Sequence, residues 1–240
     1  MGHSRLREVF AHIDSAVSEA VLPVVVFDLD STLFSTEPRN YRIISEFAAE
    51  HGAEYPGLQE MVDGLQLGDM GWGVSEPFVE RGFEPPGFKT AISRYWGRRF
   101  FTNEYVVSDQ PTPGAVEFAQ ECHRRGAMLY YLTGRHVSDM GAGTVQALTD
   151  HGFPFWRGRC SLQLKPSFEM QDKSFKDGAL GDIRSNQGRV VATFENEPGN
   201  ANLFMDAFPG ALHFLLETIH STKAEAPYPE LLRSKDFLLS

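Results

Sequence analysis

Residues 24–34 read Val-Val-Val-Phe-Asp-Leu-Asp-Ser-Thr-Leu-Phe, and they constrain the fold more than any other part of the chain. An unbroken apolar, β-branched run is the pattern of a strand buried on both faces, as in parallel sheets. This strand delivers two carboxylates, two residues apart, where it stops. On an extended strand end, residues i and i+2 point the same way. Asp28 and Asp30 are therefore expected to face one pocket, where they repel unless a cation or a shared proton relieves them. Such an electrostatic cost at the end of a buried strand points to chemistry.

From Pro111 onward, strand and helix patterns alternate. A helix follows Pro113-Gly114 and closes at Gly126, a C-cap. Strands are expected at 128–132, 160–164, 189–194 and 211–216, with helices at 145–151, 173–184 and 201–207. This alternation implies a Rossmann-like α/β fold, a parallel sheet flanked by helices on both faces. In such sheets ligands sit at the carboxyl ends of the strands, near the topological switch point. Thr133-Gly134-Arg135 and Glu195-Asn196-Glu197 fall at those ends. Residues 36–110 differ in texture. Helical spacing of Tyr41, Ile43, Ile44, Phe47 and Ala48, then of Met61, Val62 and Leu65, is broken by Gly and Pro at 71–73 and 85–87. They are expected to form a small helical insert in an α/β core made of 1–35 and 111–240. Within the insert, Trp72, Phe78, Phe83 and Tyr95 are expected to fill its own core.

Ahead of the first strand, Leu6, Val9, Phe10, Ile13, Val17 and Val21 recur at helical spacing, an amphipathic helix rather than a signal-peptide core. The net charge of -10 disfavours nucleic acid as a partner but leaves room for a locally positive pocket that takes a small anion. No run approaches the roughly 20 apolar residues of a membrane span. A cytoplasmic location is expected. Cys122 and Cys160 lack metal-type spacing and are expected as buried free thiols. Nothing in the sequence sets an oligomeric state.

A phosphoryl-transfer site needs a nucleophile, an acid/base to protonate the leaving oxygen and activate water, and positive charge for the phosphoryl oxygens. Asp28 and Asp30 supply the first two. Thr133 brings a hydroxyl, Gly134 lets the backbone approach, and Lys176 or its neighbour Lys173 brings a cation. Glu195 offers an acidic oxygen for Mg²⁺, which prefers carboxylates and water. Arg135 either positions phosphate or pairs with a surface acid, and His136 is expected in a loop.

These residues, in this order, resemble the haloacid dehalogenase (HAD) superfamily of phosphotransferases. Residues 27–33 look like its first motif, 132–135 the second, 172–176 the third, and 190–200 occupy the place of the acidic fourth. The resemblance implies Asp28 as nucleophile, Asp30 as general acid/base, and phosphate held by Thr133, Gly134, Arg135 and Lys176. It also implies Mg²⁺ bound by the Asp28 side chain, the Asp30 carbonyl and an acidic residue of the fourth motif, with the insert as a C1-type cap that selects a small phosphorylated substrate. Two departures stand out. The fourth motif reads Phe-Glu-Asn-Glu-Pro-Gly-Asn over 194–200 where the family carries one or two aspartates. Glu195 comes first off the strand, with Asn196, Glu197 and Asn200 as alternatives. Lys165, Lys173 and Lys176 all lie in the interval of the motif lysine, and Lys176, preceded by an apolar residue, fits its pattern. The expected activity is phosphomonoester hydrolysis through an aspartyl-phosphate. A phosphomutase, or a non-catalytic binding protein of the same fold with a weakened metal site, are the rival readings.

Overall fold

The computed structural model describes residues 2–156, 158–185 and 188–239. Helix Gly2–Ser18 (α1) leads into strand Pro23–Phe27 (β1), every residue of which is buried. The short strands Phe34–Ser35 (β2) and Gln110–Pro111 (β3) pair antiparallel. Between them lie helices Glu37–His51 (α2), Leu58–Asp63 (α3), Glu76–Val79 (α4), Phe88–Gly97 (α5) and Asn103–Val106 (α6). The chain then alternates: Ala115–Arg124 (α7), Met128–His136 (β4), Val137–Asp150 (α8), Cys160–Lys165 (β5), Asp172–Ser185 (α9), Arg189–Glu195 (β6), Pro198–Ala207 (α10), Leu212–Leu216 (β7) and Leu232–Ser234 (β8).

Six strands form one parallel sheet in the order β5-β4-β1-β6-β7-β8. The chain runs outward from β1 through β4 to β5, then returns to the other side of β1 for β6, which puts the switch point at the end of β1. Alternate residues of β1 serve the two faces. Val25 and Phe27 join Leu129, Tyr131, Phe194 and Phe214 under α1 and α7, where Leu6, Phe10 and Phe118 meet them. Val24 and Val26 join Tyr130 and Leu132 against Phe175, Ala179 and Ile183 of α9 and Phe204 of α10. With helices on both faces, no residue of β1 meets water, hence its uninterrupted apolar sequence. Phe27, Phe194 and Phe214 stack across three strands at 5.0 and 4.7 Å between centroids.

The helices between β2 and β3 have a hydrophobic cluster of their own, centred on Ile43, Phe47, Phe78, Phe88, Ile92 and Tyr95. Phe83 packs against it, whereas Trp72 stands away and is exposed. These helices lean on the sheet domain through α6 and α8. The Gly143 N–H donates to Asn103 Oδ1 at 2.7 Å, and a Cβ at Gly143 would lie 2.6 Å from the Asn103 carbonyl oxygen.

Several bounds differ from the sequence expectation. Strand β4 continues to His136, which is buried at a strand end rather than placed in a loop. Helix α8 starts at Val137, eight residues early, because Gly141 and Gly143 depress helix propensity in a segment that packing holds helical. Helix α10 starts at Pro198, whose missing N–H is harmless in a first turn. Strands β2, β3 and β8, of two or three residues, are too short for periodicity to show. Cys122 and Cys160 are free, the first buried and the second half-buried. Among the described residues no helix is long and apolar enough to cross a membrane.

Candidate active site

The sheet ladder ends where Asp28 N–H donates to the Phe194 carbonyl at 3.0 Å. The chain then turns sharply. Leu29 goes into the core and its carbonyl accepts from Thr32 and Phe34 N–H at 3.1 and 2.9 Å. Ser31 takes a left-handed φ of 56°, uncommon for a side-chain-bearing residue, while the Thr218 hydroxyl donates to its carbonyl. The Thr112 hydroxyl holds the Thr32 carbonyl at 2.7 Å. With Leu29 turned inward, Asp28 and Asp30 both border one cavity of about 880 Å³. The i, i+2 expectation is met, by a turn rather than by a continuing strand.

The two carboxylates meet different cations. Lys176, buried on α9, donates from Nζ to Asp28 Oδ1 at 2.7 Å and to Glu195 Oε2 at 2.6 Å. Burial opposes the ammonium, but the two carboxylates outweigh burial and hold its pKa above the usual lysine range. Burial and the nearby Glu195 charge push the Asp28 carboxyl up to about 7, against the pull of Lys176. The other two lysines of the interval are engaged elsewhere. Lys165 bonds Asp172 at 2.6 Å, and Lys173 pairs with Glu225 at the rim.

Asp30 is held by two arginines. Its Oδ1 accepts from Arg135 Nε and Nη2 at 3.0 and 2.6 Å and from Arg39 Nη2 at 2.9 Å. Burial would raise its pKa, but the two guanidinium charges win and hold the carboxyl well below the usual carboxylate range. Its side chain remains 34% exposed to the cavity. Behind it, buried Asp109 accepts from Arg39 Nε at 2.8 Å and from Arg135 Nη2 at 2.7 Å, and a second Arg39 bond reaches its Oδ2. Arg135, expected either at phosphate or on a surface acid, is thus buried and taken up by Asp30, Asp109 and the Thr144 hydroxyl.

Thr133, Gly134, Glu195, Asn196 and Asn200 border the same cavity. A Cβ at Gly134 would lie 2.6 Å from Asp172 Oδ2, the end of an exposed side chain that would have to shift to admit it. The Asn196 amide is committed, accepting from the Thr32 hydroxyl at 3.3 Å and donating to the Ile219 carbonyl at 2.6 Å. Glu197 accepts from Ser221 N–H at 2.8 Å, and burial raises its pKa. Among the described residues no group of three or more His, Cys, Asp or Glu is arranged to hold a metal. With Asp28 ionised, two carboxylates and the one ammonium between them nevertheless leave one buried negative charge. An oxygen-only donor set of that kind suits a cation that keeps several waters, as Mg²⁺ does.

Arg39 and Asp109 escaped sequence reading. A signal existed: Arg39, Ile43 and Phe47 recur every four residues, which puts an arginine on the buried stripe of α2.

A parallel sheet whose central strand ends in two carboxylates, one of them met by a buried lysine, defines an α/β hydrolase core of HAD type. The chain belongs to the haloacid dehalogenase-like hydrolase family, whose model matches residues 22–162. No curated protein matches the sequence. A HAD-superfamily hydrolase of subfamily IA from Geobacter sulfurreducens shares the fold at 15% identity and a TM-score of 0.52, over 91% of this chain and 93% of that one. A haloacid dehalogenase-like family hydrolase from Streptococcus pneumoniae aligns at 13% identity and a TM-score of 0.48, over 89% and 90% of the two chains. A class C acid phosphatase from Bacillus anthracis aligns at 16% identity and a TM-score of 0.45, over 83% of this chain. The alignment spans 64% of that phosphatase's length.

Proposed function

We propose that the protein is a Mg²⁺-dependent phosphomonoester hydrolase that works through an aspartyl-phosphate on a small phosphorylated metabolite in the cytoplasm. The observation that carries this reading is the buried Lys176 ammonium between Asp28 and Glu195, beside a cavity that Asp30 also enters. A carboxylate so placed is a nucleophile with a cation beside it for the incoming phosphoryl oxygens. Asp28 attacks phosphorus, the bond to the leaving oxygen breaks, and that oxygen takes a proton from Asp30. Water then attacks the phosphorus and gives its proton to Asp30. The bond to Asp28 breaks and phosphate leaves. Thr133, the backbone at Gly134 and Lys176 hold the oxygens that do not react. Clamped by arginines, Asp30 is an anion suited to taking a proton from water. Giving one to the leaving oxygen requires it first to move off Arg39 and Arg135 and take a proton from solvent.

The Asp28 carboxylate, the Asp30 carbonyl and Glu195 would hold Mg²⁺, with Asn200, which also lines the cavity, as the alternative to the committed Asn196. The ion supplies charge neutralisation for the phosphoryl group. Residues 36–110 act as a cap domain over the core of 1–35 and 111–240.

The test is hydrolysis of an aryl phosphate with and without Mg²⁺. Activity is expected to vanish on chelation and to return with Mg²⁺. Asp28→Asn is expected to abolish turnover, by roughly 10³-fold or more, with an unchanged circular dichroism spectrum. A folded Asp28→Asn variant that retains full activity would overturn the mechanism.

A further inference from the structure

We propose that the site is built for phosphomonoesters whose leaving group carries a flat aromatic ring; this rests on the hydrolase reading above and adds the substrate class. The cavity that holds Asp28 and Asp30 has a second, aromatic part. Trp72 and Phe168 line it and are 51% and 53% exposed, large apolar rings open to the cavity. Trp96, Phe100 and Phe101 line it too. Four of these five rings are contiguous: centroids lie 4.6 Å apart for Trp96 and Phe100, 5.0 Å for Phe100 and Phe101, and 5.0 Å for Phe101 and Phe168. Phe168 then meets His136, at 5.6 Å, on the same strand as Thr133. The strip therefore runs from the insert down to the strand end where the phosphoryl group is to be held.

The wall is fixed in place. Trp96 Nε1 donates to Asn40 Oδ1 at 2.7 Å, and the Arg39 guanidinium lies 4.3 Å from the Phe100 centroid on one side of that ring. Three polar groups of the lining are already engaged: Asn40 with Trp96, Lys165 with Asp172, Lys173 with Glu225. A polyol would set its hydroxyls against rings and strip them of water, whereas a flat ring gains offset-stacked or edge contacts there.

Binding decides this independently of turnover. Two of the chain's three tryptophans, Trp72 and Trp96, line the cavity, so ligand entry reports on intrinsic fluorescence. With Mg²⁺ present, phenylphosphonate is compared with propylphosphonate and inorganic phosphate by fluorescence and calorimetry, on the wild type and on Trp72→Ala and Phe168→Ala. Phenylphosphonate is expected to bind about ten-fold tighter than propylphosphonate, and each variant to lose most of that preference while phosphate affinity stays within about two-fold. Equal affinity for the two phosphonates, or a preference that survives both substitutions, overturns the proposal. If the ring preference holds but no aryl phosphate is hydrolysed, the hydrolase reading fails and the ring site stands. If neither phosphonate nor phosphate binds, both fall.

Discussion

Asp109 carries no solvent exposure and faces two arginines, which in turn face Asp30. Two cations and two anions cancel, so the buried set is neutral and each member is satisfied. Removing one charge leaves the rest uncompensated, the costly way to alter a buried ion pair. Asp109→Asn is expected to lower stability by about 3–5 kcal/mol, measured by urea denaturation. A loss under about 1 kcal/mol would mean the exposed edge of Asp30 lets water take over the missing charge. The gathering of individual residues at one cavity was legible in the sequence where a single segment carried the signal. Asp28 and Asp30 follow an apolar strand, and Lys176 follows an apolar residue within the right interval. Arg39 and Asp109 lie 70 residues apart, and only the folded chain brings them together.

At the scale of elements, the end of β4 and the start of α9 are fitted to each other. The Asp172 carboxylate, at the head of α9, lies against Gly134 while holding Lys165, so a side chain at 134 has to displace it. Gly134→Ala should push Asp172 aside and shift the Thr133 backbone, lowering kcat/KM roughly 10²-fold, as sub-ångström misplacement does in positioned sites. Trimming the obstacle in the Gly134→Ala/Asp172→Ala double variant should recover most of that loss. A double variant no better than the single one would show that the loss does not come from the contact with Asp172. The alternation of strands and helices was legible because both faces of β1 are covered, and a covered strand shows its burial in every residue. The early start of α8 was not, since Gly143 serves the contact with Asn103 rather than helix propensity. The same holds for Trp72, which shares the composition of the insert's core but stands in the cavity.

Across the whole molecule, apolar side chains gather in clusters on the two faces of the sheet and in a separate one within the insert. Separate cores open separately. Native-state hydrogen exchange should show the amides of α2 and α5 opening at a lower free energy than those of β1 and β6. Identical opening energies would mean the insert unfolds only with the sheet. What ties the two parts at the site is the Arg39, Asp109, Arg135 and Asp30 set, which draws one member from the first helix after β2, one from the return into β3, and two from the sheet side. That arrangement bears on how the sequence can drift over generations. A lineage that loses Arg39 alone is left with a stranded acid at 109, and one that loses Asp109 alone with crowded guanidiniums. Positions 39 and 109 are therefore expected to change in concert, kept as a pair or exchanged together for uncharged residues, and a family alignment in which they vary independently would contradict this.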